Sequence, residues 1–378
     1  MLNKVMLSYL NITTGHKKAA WSIHKALKEL YPEIEVLEID PLKAFYPRLE
    51  AVINKGYLSM VKSNPDIWDY LYDNEKIVKL TANLRQLTNS FNSYRLSKLF
   101  SSFNPQAVVC THAFPCGIFS ALKNSNKFPL IGVITDFDVH SYWIHPNVSC
   151  YVVATQYTAA KLQKKGVEKE RIKILGIPVD PAFTKDTDIQ AIKRKYNLKE
   201  DIPTILIMGG GWGFGPIEGI IHCLNELENI DFQIIAVAGN NKKLESRLNK
   251  LLLTRQASPK LTRVFGFVDF MDELMKVSNL FIGKPGGMTT AESLVCGLPM
   301  VIINPIPGQE ERNTQYLTAQ GAGIKANSEW EVKKIVLELL TNPPKLNEMR
   351  TRALSIGKPQ SAFDIVETME ELIKAVDY

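Results

Sequence analysis

No run of about 18 apolar residues, the length a membrane-spanning helix requires, occurs anywhere in the chain. The opening Met1 to Leu10 meets polar Asn11 too soon to serve as a signal-peptide core. The expectation is a chain that neither spans a membrane nor enters a secretory route. Cysteine is scarce. The five residues Cys110, Cys116, Cys150, Cys223 and Cys296 are odd in number and lack C-x-x-C spacing, which argues against a disulfide framework or structural zinc and fits a reducing cytoplasm. Neither charge sign dominates: 45 Lys and Arg stand against 39 Asp and Glu, a net +6, dispersed rather than gathered in one tract. That balance predicts no nucleic-acid partner and leaves open an attraction to phosphorylated ligands or to an anionic membrane surface. Repeats and low-complexity tracts are lacking as well.

What is present is an ordinary globular composition, 45% hydrophobic and 22% charged, in 378 residues. At roughly 150 residues per domain this predicts two domains. Short apolar runs alternate with helical periods, the rhythm of strand-helix-strand units in parallel sheets. Strands are expected at Lys4–Ser8, Glu35–Ile39, Ala107–Thr111, Leu130–Thr135, Cys150–Val153 and Ile172–Ile174, then at Thr204–Met208, Phe232–Val237, Thr262–Phe265, Leu280–Gly283 and Met300–Ile303. Pro178 and Pro181 break both helix and strand, so the boundary is placed there. The expected organisation is α/β: two doubly wound Rossmann-like domains, residues 1–180 and 181–360, facing across a cleft. A C-terminal helix, 361–378, packs back on the first domain.

The strongest local motif is Gly209-Gly210-Gly211-Trp212-Gly213-Phe214-Gly215, directly after a strand. Glycines there let backbone N–H groups approach a diphosphate, although they also permit a tight turn. The chain contains no G-x-x-x-x-G-K-[ST], and no acid ends the next strand to hold a nicotinamide ribose, so Walker-type and dinucleotide readings fall away. A second loop, Gly283-Lys284-Pro285-Gly286-Gly287-Met288-Thr289, opens a helix whose free N–H groups and Lys284 favour an anion. Glu292, one turn on, can accept from two ribose hydroxyls or merely match the helix dipole. Gln309, Glu310 and Asn313 follow a proline-bounded loop, where they can read sugar hydroxyls or cap a helix.

In the first half, His16 follows the first strand, where an imidazole with a pKa near neutrality can serve as general base or be structural. Asp136 and Asp138, with His140, read either as metal-binding carboxylates or as hydrogen-bonding, acceptor-positioning groups. From Ile77 to Lys98 the apolar residues fall at three and four spacing, and Lys76, Lys79, Arg85, Arg95 and Lys98 occupy the polar face. Tyr57, Trp68, Tyr70 and Tyr72 precede it. This segment reads as a surface helix packed on the first sheet or as contact with a lipid surface.

Taken in order, Gly15-His16, Val133 to Trp143, Gly176-Ile-Pro-Val179, the first glycine run, Val264-Phe-Gly-Phe267 and Gly283 to Glu310 resemble the monogalactosyldiacylglycerol synthase and processive diacylglycerol glucosyltransferase family, related to the peptidoglycan N-acetylglucosaminyltransferase. The resemblance implies a GT-B fold, a UDP-sugar donor held by the C-terminal domain, a lipid acceptor held by the N-terminal domain, and inverting, metal-independent transfer without a cofactor. It also implies a peripheral place on the inner face of the cell membrane. His16 matches the base. Phe267 and Val268 match the uracil region; Gly211, Gly286, Gly287, Met288 and Thr289 the diphosphate contacts; Glu292 the ribose contact; Gln309 and Glu310 the sugar hydroxyls. Gly210, Trp212, Lys284 and Asn313 join the donor side, and Gly15, Asp136, His140 and Trp143 the acceptor side. The family often writes Gly-x-Gly-His, and Thr13 replaces the first glycine here. That leaves a different hydroxyl acceptor open, with UDP-sugar epimerisation as the other enzyme reading.

Overall fold

A computed structural model of the chain describes residues 2–11, 14–45, 47, 95–123, 127–253 and 260–376. Two compact units result, one of Met1–Pro181 with Pro307–Gln309 and Lys358–Tyr378, the other of Ala182–Ile306 with Glu310–Gly357.

The first unit holds strands β1 (Lys4–Ser8), β2 (Glu35–Ile39), β3 (Ala107–Cys110), β4 (Leu130–Val133), β5 (Cys150–Val153) and β6 (Ile172–Ile174) in the order β2-β1-β3-β4-β5-β6. The second holds β7 (Thr204–Met208), β8 (Gln233–Val237), β9 (Thr262–Phe265), β10 (Leu280–Gly283), β11 (Met300–Ile303) and β12 (Gly323–Ala326) in the order β12-β11-β10-β7-β8-β9. Every pairing is parallel. Helices cover such sheets on both faces, so the central strands are continuous apolar runs rather than alternating ones. β3, β4, β5 and β7 are buried at every residue.

Of the helices, α1 (Thr14–Leu30) and α2 (Ala113–Leu122) follow β1 and β3; α3 (Gly287–Val295) and α4 (Gln309–Ala319) follow β10 and β11; α5 (Ser361–Val376) ends the described chain. Ala362, Ile365, Val366 and Met369 of α5 share a core cluster with Ala20, Ile23, Ala26 and Leu27 of α1. Ser361 Oγ donates to the Ile177 carbonyl at 2.9 Å and accepts from the Val179 N–H at 3.2 Å.

Two differences from the sequence expectation have physical causes. β12 carries no apolar run, since Gly323 and Lys325 dilute it and only its end residues are buried. β3 and β4 stop at Cys110 and Val133, so Thr111 and Thr135 lie past the ladder and turn to other partners. Most of the basic amphipathic segment, up to Tyr94, and the four aromatic residues before it lie outside the described residues; 95–103 are helical. Among the described residues no helix is long and apolar enough to cross a membrane.

Candidate active site

In open parallel sheets, ligands bind beyond the strand C-termini where the strand order reverses. In the first unit that point is β1, flanked by β2 and β3, and three strand ends converge on the residue that follows it. His16 Nδ1 lies 2.8 Å from the Thr111 carbonyl oxygen and 3.0 Å from Thr135 Oγ1. A carbonyl can only accept, so Nδ1 carries the proton and the threonine hydroxyl shares it. Nε2 is therefore the unprotonated nitrogen. Thr111 Oγ1 donates in turn to the His16 carbonyl at 2.8 Å, so one residue grips both ring and backbone.

Burial lowers the His16 pKa from 6.5 to about 4, with the Thr111 hydrogen bond opposing the shift. The near-neutral value expected from sequence does not hold for this unit, because the half-buried ring is packed against the strand ends. The His112 ring meets it edge-on, centroids 4.6 Å apart at 80°. Burial, followed by the neighbouring His16 and His140, holds His112 well below the ordinary range.

The other acceptor-side residues differ in their surroundings. Gly15 is the second residue of α1. Asp136 is buried and accepts from Gln309 Nε2, so two residues that the sequence assigned to opposite substrates are hydrogen-bonded within the first unit. Asp138 is 1% exposed, receives Lys161 Nζ at 2.9 and 3.0 Å, and accepts from the Val139 N–H. One of the two carboxylates is thus committed to an ion pair with Lys161. His140 lies against Tyr142 and Trp143, with centroids 5.5 and 6.3 Å away. Trp143, expected on the acceptor side, is 3% exposed and belongs to the core of this unit.

In the second unit the order reverses at β7, flanked by β10 and β8, and the two glycine loops leave the adjacent strands β7 and β10. Much of the first loop is demanded by close packing. A Cβ on Gly209 would stand 1.9 Å from the Phe214 carbonyl oxygen, and one on Gly213 would stand 2.3 Å from that of Ala238. Gly210 and Gly215 have positive φ with open space around them. The N–H groups of Gly213 and Phe214 are occupied by Gly210 O and Gly209 O at 3.0 and 2.8 Å. The tight-turn reading therefore accounts for Gly209 and Gly213, and the anion reading narrows to Gly210, Gly211 and Trp212.

The second loop keeps its donors. Gly286 is the N-cap of α3 without a side-chain capping bond, and no acid stands in the first turn. The first N–H groups of a helix so capped have no intrahelical partner and carry the positive end of the dipole. Met288 is buried, whereas Thr289 is half-buried. Lys284 forms a largely, not fully, buried ion pair with Glu310 at 3.2 Å and lies 5.6 Å from the Phe214 ring centroid, so its charge is already partly matched. Burial raises the Glu310 pKa against the pull of Lys284, and its Oε2 accepts from the Ile306 N–H at 2.7 Å. Glu292 is 4% exposed, which sets aside a purely solvent-facing dipole match.

Asn313, read from sequence as a sugar contact, is fully buried and donates to the Pro285 carbonyl at 2.9 Å. It clamps the glycine loop from behind. Asn313→Ala is expected to lower stability by about 1–3 kcal/mol, because a buried carbonyl loses its partner; urea unfolding checks this. Phe267 is half exposed and Val268 buried, both just past β9, two strands from β7. Sequence reasoning missed Thr111, His112 and Thr135, whose only signal was their place at the ends of predicted strands.

A monogalactosyldiacylglycerol synthase profile matches residues 16–179, and the glycosyltransferase family 28 C-terminal domain matches residues 204–369. The chain is 32% identical to the processive diacylglycerol beta-glucosyltransferase of Bacillus pumilus (strain SAFR-032), covering 97% of this chain and 94% of that one. It is 30% identical to a probable chloroplastic monogalactosyldiacylglycerol synthase of Glycine max, covering 99% and 72%. Among solved structures, Acinetobacter baumannii MurG superposes with a TM-score of 0.65 at 14% identity, over 98% of this chain and 99% of that one. The UDP-GlcNAc 2-epimerase of Neisseria meningitidis gives 0.60 at 15%, over 97% and 100%. At such identities these two likenesses carry the fold, which is GT-B. With the sequence match running along nearly its whole length, the chain belongs to the diacylglycerol glycosyltransferase family of the monogalactosyldiacylglycerol synthases and processive diacylglycerol glucosyltransferases, and it is a glycosyltransferase.

Proposed function

We propose that the protein moves a hexose from a UDP-sugar to the free hydroxyl of diacylglycerol or glycosyl-diacylglycerol, with inversion at the anomeric carbon and His16 as general base. The observation that carries this reading is the His16 hydrogen-bond pattern: Nδ1–H is held by Thr111 and Thr135, so the Nε2 lone pair is the one left for a substrate proton. In the transfer, the acceptor O–H gives its proton to Nε2 and its oxygen bonds to the anomeric carbon. The bond from that carbon to the diphosphate oxygen breaks, and its electron pair leaves on UDP.

The departing charge needs donors. The uncapped start of α3 and the N–H groups of Gly210, Gly211 and Trp212 are the groups suited to supply them, with Lys284 exchanging its Glu310 partner for phosphate. Glu292 and Gln309 are assigned to the donor's hydroxyls, and the main chain at Phe267 and Val268 to the uracil. Glu292→Ala is expected to weaken UDP-sugar binding more than it slows turnover, a split that titration calorimetry and initial rates read directly.

Burial makes the base weak when the site is empty, and the proposed transfer requires a diphosphate close enough for its negative charge to raise that pKa. His16 stays neutral down to about pH 4 in the free enzyme. The acid limb of kcat/KM is accordingly expected well below 6.5, and that of kcat at higher pH than that of kcat/KM. An anionic membrane surface is the proposed place of the lipid acceptor. The deciding assay offers UDP-glucose, UDP-galactose and UDP-N-acetylglucosamine with diacylglycerol vesicles. A labelled glycolipid from at least one donor is expected, whereas sugar isomers formed without acceptor would replace transfer by epimerisation.

A further inference from the structure

His16 is not the only imidazole at this strand end. His112, the N-cap of α2, accepts the Phe114 N–H on Nδ1 at 3.0 Å. A backbone amide can only donate, so Nδ1 of His112 is unprotonated and its proton resides on Nε2. His16 has the opposite tautomer for the complementary reason, because its Nδ1 faces a carbonyl. Two touching rings thus carry opposite groups on their Nε2 atoms, a lone pair on one and an N–H on the other. Both residues are half-buried. Burial disfavours charge on either ring, and protonating His112 on Nδ1 would also break the α2 cap.

The geometry points to His112 as a second catalytic residue: its Nε2–H donates to the oxygen of the acceptor hydroxyl while His16 Nε2 takes that hydroxyl's proton. A hydroxyl has one proton to give and two lone pairs, so an acceptor-donor pair of imidazoles matches it, whereas two identical tautomers would leave one bond unmade. The donor fixes the oxygen so that its remaining lone pair is aimed at the anomeric carbon. No charge moves through His112; the proton passes only to His16. The idea rests on the proposed transfer to a hydroxyl acceptor.

Two substitutions separate this role from helix capping. Asn places an oxygen where Nδ1 stands, so His112→Asn keeps the cap, but its amide ends one bond short of Nε2. Gln reaches the Nε2 position with an N–H and gives up the cap. With the wild-type full-length enzyme transferring hexose to diacylglycerol in mixed micelles, H112N is expected to keep its thermal midpoint and UDP affinity while kcat/KM for the acceptor falls by about 10- to 100-fold. H112Q is expected to lose thermal stability yet retain more acceptor kcat/KM than H112N. Acceptor kcat/KM in H112N within threefold of wild type would overturn the inference, and so would activity in the pair that follows thermal stability. Wild-type enzyme that transfers no sugar would instead remove the transferase reading itself.

Discussion

His16→Ala is expected to reduce turnover by about 100-fold or more and to leave UDP affinity near the wild-type value. The argument is local. The side chain sits on the third residue of α1, its ring proton is held by two groups from neighbouring strand ends, and the ligand's nucleotide is assigned to the other unit. Removing the ring deletes the proposed proton acceptor and none of the proposed diphosphate donors. Part of the loss could come from disturbing the strand ends, since Thr111 Oγ1 bonds the His16 carbonyl. That bond involves the backbone and survives in alanine. His16→Gln offers a control, since its amide fills part of the same space but carries no basic lone pair. Both variants should unfold at nearly the wild-type temperature and bind UDP equally well. Loss of UDP affinity in both would mean that His16 is a structural residue.

The second large effect concerns the donor side. Gly209→Ala places a Cβ 1.9 Å from the Phe214 carbonyl oxygen and 2.6 Å from its nitrogen, atoms that belong to the turn itself. Backbone cannot swing aside as a flexible side chain can, so the loop must open and lose the Phe214 to Gly209 hydrogen bond. A cost of about 3–5 kcal/mol is expected, at the upper end of single substitutions, together with loss of UDP binding. Gly210→Ala makes the contrast. A Cβ there meets nothing within 4 Å, and only the φ of +69° resists it. Its cost should be about 1–2 kcal/mol, with a smaller fall in UDP affinity. Thermal unfolding and calorimetric UDP titration of the two variants check the ordering. Equal effects would mean that the loop is held by conformation alone.

How far these features were legible in the sequence depends on their range. β1 and β7 could be read from a few consecutive apolar residues, and the glycine loops from their place after strands. β12 could not, because Gly323 and Lys325 leave an edge strand without hydrophobic contrast. Thr111, His112 and Thr135 were silent because their meaning arises only when β3 pairs with β1 and β4 with β3, and Thr111 and Thr135 stand 95 and 119 residues from His16. The same holds for Lys284, whose charge the sequence counted as available and whose partner Glu310 arrives from the next strand-helix unit. Asn313 and Trp143 carry residue types suited to ligand contact, and their burial, with the Asn313 bond to the Pro285 carbonyl, emerges only on folding. Local chemistry and local periodicity were readable, whereas partnership between distant strand ends was not.

The central claim is transfer of a hexose from UDP to a diacylglycerol hydroxyl with inversion. Incubating the full-length protein with UDP-[13C]hexoses and diacylglycerol vesicles, then recording the anomeric coupling of the lipid product by NMR, tests it most directly. A β-linked glycosyl-diacylglycerol formed together with UDP is the expected result. An α-linked product, or no labelled lipid from any UDP-hexose, would contradict it.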